Sequence, residues 1–486
     1  MESFSSFLIT KKFPSIKTIR TIISGPFTAL STAIYGLFFA LCVTVYVLLI
    51  VINNHFLITV PARGGTLTEG VIGAPHNINP LLAATPTDKR LTALVYTTLN
   101  TITKDSTVSP DGKIYTVELM PNLRFDDNKP LTSADVVFTV QKMQDSTISQ
   151  NSDYWQNISV ENPDATTVVF TLPAADTSFG SRLAFGILPQ HIWQNIDDSV
   201  FATAPQNLHP VGAGPFKVAD VIYENNIPAS VILKRNTRTI GHPALLKSLT
   251  IESFANQAAL VTAINARDID FSYSVSPDAL VTTPLISRMK IQSVPTAQTV
   301  SLYHSKSDTV LANPMTIASL SQIIDKNAII ATVQHGYGIS PESTSGSSDE
   351  ITANSVANTS TKKLSINRFS IAVENDPSLL LAAETLVEQL AQQGITVSVR
   401  AFDPGSFQKN VAAGAFTIFL ARNNDWPIPA QYSIALPLYT ESVPYVFTKD
   451  THTSIIANTL ASPTAEYDDV TNWYTHTDKL WKIHFK

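Results

Sequence analysis

The sequence of 486 residues contains one cysteine, Cys42, so it can build neither a disulfide framework nor a cysteine-based zinc centre. Charge is scarce too: Asp, Glu, Lys and Arg make up 15% of the chain, and the formal net charge is −6. Without a basic field to hold phosphates, a nucleic acid is excluded as the expected partner. Glycine and proline, at 18 and 29, lie far from any collagen-like or low-complexity composition. Local routes to chemistry are missing as well. The ten histidines stand singly, with no HExxH and no pair one helical turn apart. No GxSxG elbow and no GxxxxGK[ST] loop occur. Gly212-Ala213-Gly214-Pro215 lacks the third glycine of a dinucleotide fingerprint, and Pro215 would obstruct the helix that must open there. It reads instead as a backbone crossing or hinge-side turn. The paired carboxylates Asp126-Asp127 and Asp468-Asp469 point to opposite faces on a strand and are usually solvated in a loop. We therefore expect no enzyme, no metal site and no cofactor.

What the sequence does have begins with an uncharged stretch from Arg20 to Arg63. Within it, Ala33 to Ile52 is unbroken apolar sequence of about the twenty residues that cross a bilayer. Lys11, Lys12, Lys17 and Arg20 precede it and only Glu2 opposes them, which directs the amino terminus to the cytoplasm and everything after Arg63 outside. A cleaved signal peptide shares the charged start. The run here is too long for one, and Cys42 sits in its middle instead of closing it behind a small residue. The expectation is an uncleaved, single-pass membrane anchor over residues 1–62, with Cys42 a small membrane hydrophobe. The remainder is too long for one core, since single cores stop growing near roughly 250–300 residues.

After Arg63 the pattern is mixed α/β. Thr132-Ser-Ala-Asp135 is a capping box that opens a helix carrying Val136, Val140 and Met143 on one face. Phe369 to Val373 alternates; Leu380, Ala383, Leu386 and Leu390 keep helical spacing up to Gly394; Ile395, Val397 and Val399 alternate again. That is a strand–helix–strand unit. Phe407 and Val411 mark the next helix and Phe416 to Leu420 the next strand, so a parallel sheet is expected. Ser340 to Thr361 is polar and should form an exposed loop.

The stretch SPDGKIYTVELMPNLRFDDNKPLTSADVVFTVQK, Ser109 to Lys142, closely resembles the signature of family 5 extracytoplasmic solute-binding proteins, the peptide- and nickel-binding components of ABC importers. That family reads approximately as a DG-x-x-YTF strand, an FHDG-like turn and a KPLTAEDV helix start. Asp111, Gly112, Tyr115 and Thr116 match the first part, Phe125, Asp126 and Asp127 the second, and Pro130, Leu131, Thr132, Asp135 and Val136 the third. Asn128 replaces the turn glycine and is the residue next most tolerant of positive φ. Further blocks follow in the family's order: Gly64 to Leu67, Asn77 to Leu81, Ile187 to His191, Gly212 to Lys217, Leu233 to Asn236, Ile264 to Asp270 and Ile324 to Lys326.

This resemblance implies a bilobal, periplasmic-binding-protein-like α/β fold (type II, class C) with discontinuous lobes, preceded by one transmembrane helix. Lobe I would comprise about 63–90 and 205–295, an extra subdomain about 91–204, and lobe II about 296–470, within a solute-binding domain 63–486. Hinge closure on a ligand would then report occupancy to a transporter. The expected partners are a short peptide or similar solute, ABC permease subunits, and the membrane. Asn423-Asn-Asp-Trp426 occupies the place of the family's "W-x-x-DY" block, which makes Asp425 the expected contact of a ligand ammonium and Trp426 a pocket wall. Tyr303 and Tyr96 stand in segments that approach the cleft in the family. The sequence also departs from the pattern: Asp425 is followed almost at once by Leu436-Pro-Leu-Tyr439, so the second lobe is abridged. A receptor-fold sensor or surface-interaction protein that no longer serves transport is the alternative.

Overall fold

Ala29 to Phe56 forms one helix, α1, of 28 residues. With no charge to solvate, the segment satisfies its backbone internally, and the Thr44 hydroxyl donates back to the Ala40 carbonyl at 2.8 Å. Ile34–Asn53 has a mean hydropathy of 2.6 with none of it buried, so by length and composition it is a candidate membrane span. Cys42 lies exposed on it. In this computed structural model the described residues are 29–149, 152–285, 289–308, 313–340, 368–423, 428–449, 451–453, 464 and 467–481. They fall into two units, 1–60 with 477–486, and 61–476. Besides α1, the first unit holds Leu57–Pro61 paired with Thr477–Trp481 in a two-stranded sheet.

The second unit is built on one ten-stranded sheet. Its first parallel group starts with β1, Thr66–Ile72. Helix α2, Pro86–Val95, follows, capped by Thr85 with Asp88 returning to the Thr85 N–H at 3.2 Å. Strand β2, Ser248–Phe254, lies parallel to β1 on one side. Helix α3, Gln257–Ala266, then carries the chain across to the short β3, Phe271–Ser272, parallel to β1 on the other side. Strand β4, Met289–Ser305, is 17 residues long. A second parallel group repeats the scheme: β5, Arg368–Glu374; helix α4, Pro377–Gln392; β6, Thr396–Phe402, beside β5; helix α5, Pro404–Ala412; and β7, Ile418–Arg422, on the other side of β5. Strand β8, Tyr432–Thr448, again 17 residues, returns antiparallel along β4. The order across the sheet is therefore β6-β5-β7-β4-β8-β3-β1-β2, completed by the hairpin strands Ile227–Arg235 and Phe216–Glu224.

The strand–helix–strand unit forms as its spacing predicts, because α4 buries Leu379, Ala382, Ala383, Leu386 and Leu390 against the second group. Each fully buried leucine contributes about 2 kcal/mol of transfer free energy. The β7 strand begins two residues later than the apolar run suggests: Phe416 packs against Phe407 just outside it. Of the expected polar loop from Ser340 to Thr361, all but Ser340 lies outside the described residues.

The cores are separate. One joins β1, α2, β2 and the hairpin, another joins α4 and the second parallel group, and a third fills a subdomain between Leu99 and Ala213 with its own four-stranded sheet. Tyr445, Tyr467 and Val470, allotted to the second lobe from the sequence, pack into the first core beside Trp473. In the subdomain the capping box is present: Thr132 N–H donates to Asp135 Oδ2 at 2.8 Å, and Gln190 N–H donates to its Oδ1 at 2.9 Å. Gly212 to Pro215 is the expected crossing. Gly214 N–H donates to Val95 O at 2.8 Å, and Asn236 Nδ2 donates to Gly214 O at 2.9 Å. Asn128 takes the glycine-like φ of 76°.

Candidate ligand cleft

Strand direction locates the cleft. In the first group β3 pairs antiparallel with β8 through Phe271–Phe447 and Ser272–Val446, so its carboxyl end points along β8 toward Ser442. In the second group β7 pairs antiparallel with β4 from His304–Ile418 to Val300–Arg422, so its carboxyl end points back toward Thr299. The carboxyl ends of both parallel groups thus converge on the middle of the β4/β8 ribbon. Ligands of open α/β sheets bind outside such ends, at the strand where chain order reverses. Here the reversal falls at β1, between β2 and β3, and at β5, between β6 and β7. The ribbon's register breaks between Pro295 and Thr299 and again between Val300 and Ser301. Such irregularities interrupt the ladder and localise bending, which makes this the natural hinge.

On the second group's side of the cleft, Asp376 caps α4. Its Oδ1 accepts from the N–H groups of Ser378 and Leu379 at 3.0 Å and from Arg422 Nη2 at 3.1 Å. Arg422 also donates through Nη2 to Ser378 Oγ at 2.7 Å and through Nε to Glu441 Oε1 at 2.9 Å. One guanidinium therefore ties the ends of β5 and β7 to the ribbon. Burial works against ionisation of Asp376, but the Ser378 hydroxyl, the Leu379 N–H and Arg422 outweigh it and hold the carboxyl below the ordinary aspartate range. Burial likewise opposes the charge on Arg422, and its two carboxylates more than restore it. Asn423 continues the link, donating its N–H to Thr299 O at 2.9 Å and accepting from Thr299 N through Oδ1 at 2.5 Å.

On the first group's side, Asp88 accepts the N–H groups of His76 and Asn77 at 2.7 and 3.1 Å, fixing the loop that leaves β1. Beneath it, Glu69 is fully buried, accepts from the Tyr467 hydroxyl at 2.5 Å and stands 3.9 Å from Arg90. Arg90 donates to Ser274 Oγ at 2.5 Å.

Asp425 and Trp426 lie outside the described residues; Asn423, two residues before Asp425, is fixed at the hinge as above. Tyr303 and Tyr96 are described, and the structure does not bring them together. Tyr303 is 3% exposed and stacks on Phe419 at 5.0 Å, in a cluster with Phe407 and Tyr432. Burial pushes its hydroxyl pKa up. Tyr96, also 3% exposed, ends α2 in the first core, and its pKa is raised by burial and then by the Asp126 carboxylate. Asp126 is more than a solvated loop acid. It accepts Gly212 N–H at 3.3 Å, and burial raises its pKa. Asp127 meets His191 Nε2 at 2.8 Å. A pocket of about 630 Å³ opens elsewhere, lined by Lys290, Tyr445, Phe447, Lys449, His452 and Tyr474 among others. It sits on the first-core half of the ribbon, away from the converging strand ends, so strand topology and not this pocket defines the ligand cleft. Among the described residues no group of three or more His, Cys, Asp or Glu could hold a metal ion.

Sequence reasoning missed Arg422, Asp376 and Glu441. The signal available was local: Asp376-Pro377-Ser378 is a helix start, and Arg422 ends an apolar strand.

A mixed α/β sheet with two parallel groups pointing across a shared ribbon defines a periplasmic-binding-protein-like receptor fold. Residues 77–443 match the family described as bacterial extracellular solute-binding proteins, family 5, and the chain belongs to that family. The oligopeptide-binding protein AppA of Bacillus subtilis is 25% identical over 293 residues, 57% of this chain and 53% of AppA, so the chain spans about half the length of that curated relative. Among solved structures, the ABC transporter substrate-binding protein CtaP of Listeria monocytogenes superposes with a TM-score of 0.62 at 20% identity, covering 85% of this chain and 99% of CtaP. AppA from Bacillus subtilis in complex with a nonapeptide gives a TM-score of 0.54 at 16% identity, covering 86% of this chain and all of that one. These likenesses establish the fold.

Proposed function

We propose that the protein is a membrane-tethered receptor that captures short peptides outside the cell, between two lobes, and delivers them to an ABC transporter permease. The observation that carries this reading is the convergence of both sets of strand carboxyl ends on one ribbon. Two half-sites joined by that ribbon can close on a guest, and contacts to both lobes shift the open–closed population. The relatives that are named as peptide-binding proteins support the choice of guest. An extended peptide would be held largely through its backbone, leaving its side chains loosely specified. Asp425 would take a ligand ammonium and Trp426 would wall the pocket. Tyr303 and Tyr96 could touch a ligand only by leaving their present packing, which makes Asp425 and Trp426 the primary contacts. Helix α1 would hold the receptor near its permease and raise its effective concentration there.

The test is thermal unfolding of the full chain in detergent against a peptide library. A ligand at a hundred times its Kd stabilises the folded state by about 2.7 kcal/mol, so the expected result is a saturable rise in the melting midpoint with short peptides. No rise with any peptide overturns the proposal. For Asp425, undiminished affinity in Asp425→Asn removes it from the site.

A further inference from the structure

We infer that the pocket of about 630 Å³ on the first-core half of the β4/β8 ribbon, apart from the ligand cleft, binds an organic phosphate. One wall is the ribbon itself. Lys290 stands opposite Phe447, and Gln292 opposite Tyr445, in the antiparallel register, and directly opposed residues share a face of the sheet. Lys449, just past the end of β8, joins them. The other wall comes from two short segments of the carboxyl-terminal tail. His452 and Tyr474 exchange both main-chain N–H to carbonyl bonds at 3.1 Å, and their rings stack at 4.6 Å.

Charge decides the sign of the guest. No Asp or Glu lines the pocket, although the chain as a whole is acidic at −6. Neither lysine makes an ion pair among the described residues. The side-chain amides of Gln292 and Asn472, also in the lining, make no hydrogen bond among those residues either. Behind Leu245, a further lining residue, Arg235 Nη1 donates to the carbonyls of Ala244 and Leu245 at 3.0 and 3.3 Å, which adds positive charge without a carboxylate to cancel it. The pocket therefore presents donors and cations to whatever enters. Two separate ammonium groups act as point charges and suit a phosphate, whereas a carboxylate is better met by the planar fork of an arginine. A phosphate monoester, at about −1.5 to −2, also balances two lysines. The remaining surface is aromatic: Phe447 stacks on Tyr445 at 4.6 Å, and Lys290 Nζ lies 5.8 Å from the Phe447 ring centre. An apolar body attached to the phosphate would lie there, in a volume within the usual range of about 300–1,000 Å³ for small-molecule sites.

Two sources share this chemistry. Pro61, in the lining, follows Asn53 at the end of the candidate span by eight residues, at most about 29 Å of chain, so an acidic phospholipid is within reach. A free aryl or alkyl phosphate is the other source, and the experiment separates them. Full-length protein in maltoside detergent is titrated calorimetrically with phenyl phosphate, benzyl alcohol and inorganic phosphate, as wild type and as the Lys290→Gln, Lys449→Gln double variant. Both lysines are exposed, and the melting midpoint checks that the variant folds. Phenyl phosphate should bind wild type at least about tenfold tighter than either other probe, and the double variant should lose that margin. In parallel, both proteins are reconstituted into nanodiscs of phosphatidylcholine and phosphatidylglycerol and re-extracted, and the retained lipid is measured by mass spectrometry. Phosphatidylglycerol enriched on wild type but not on the double variant identifies the lipid as the source; phenyl phosphate bound with no lipid enriched identifies a free phosphate. If phenyl phosphate binds no tighter than benzyl alcohol or inorganic phosphate and no phosphatidylglycerol is enriched, or if the double variant behaves as wild type, the site is overturned.

Discussion

Gly212 passes so close to Val95 that a Cβ built on it would lie 2.1 Å from the Val95 carbonyl oxygen. The contacting oxygen belongs to the backbone, so it cannot rotate away. At Gly214 the added atom would sit 2.6 Å from the Val95 carbonyl carbon. Gly212→Ala should therefore force this crossing segment off α2 and cost about 3 kcal/mol, the upper range for overpacking. Chemical denaturation checks this, with a surface Gly405→Ala as the comparison, since its nearest neighbour is 3.7 Å away.

Asn128 holds φ at 76° in the turn between Phe125 and Lys129. Asn128→Ala should cost about 1–2 kcal/mol, the steric penalty of a left-handed conformation for a residue with a Cβ and no local polar compensation. Asn128→Gly should be tolerated, losing little beyond the Arg238 Nε bond to the Asn128 side chain at 3.2 Å. Melting midpoints of the two variants give the ordering.

Asp126 supplies a pH test. Burial raises its folded pKa above the ordinary 3.8, so ionisation costs stability that returns as pH falls through the raised value toward 3.8. Asp126→Asn keeps an acceptor for Gly212 N–H and removes the titration. The variant should be more stable than wild type at neutral pH, with the advantage closing as pH falls through that window. Melting curves from pH 7 to about pH 4 would show it; a gap constant with pH contradicts the assignment.

Arg422 gives the opposite sign. The Asp376 carboxyl is held below 3.8, so its contribution is present above that value and lost as pH falls through the lowered one. Arg422→Met strands two carboxylates and should cost about 3 kcal/mol near neutral pH, toward the lower end for breaking a buried pair. The deficit should shrink on acidification. Urea titrations at neutral and strongly acid pH measure it.

The membrane assignment rests on α1. The full chain should stay with membranes through alkaline carbonate washing, and its amino-terminal peptide should be recoverable by mass spectrometry from that fraction. Val47→Arg, near the centre of the span, should weaken insertion by about 3 kcal/mol and shift protein to the soluble fraction. Recovery of only a shortened chain would show a processed signal instead.

Much of the architecture could be read from local periodicity. The unit from Phe369 to Val399 announces itself because α4 buries one face and its flanking strands alternate. The Thr132–Asp135 box and the Asn128 turn are likewise decided within four residues. The cleft was legible only as a resemblance. Arg422 reaches Asp376 and Glu441 across 46 and 19 residues, and no spacing rule encodes such pairings. Tyr303 and Tyr96 illustrate the converse. An aromatic in a strand or at a helix end has the same pattern whether it walls a ligand or fills a core, and here both rings are packed. The return of Tyr445, Tyr467, Val470 and Trp473 to the first core left one local signal, the polar Thr440-Glu441-Ser442 that interrupts the apolar content of β8 between the two cores.

The paired strands β4 and β8 are the common spine of both halves, and away from its register breaks their side chains alternate with a period of two. Adding or deleting one residue within an unbroken stretch would turn the side chains beyond it over and exchange interior for exterior. At the breaks the ladder already carries unmatched residues, so a change of length there is absorbed. The reach between the two jaws can therefore be retuned between Pro295 and Thr299, in the middle of the spine, while the packing of each half is kept.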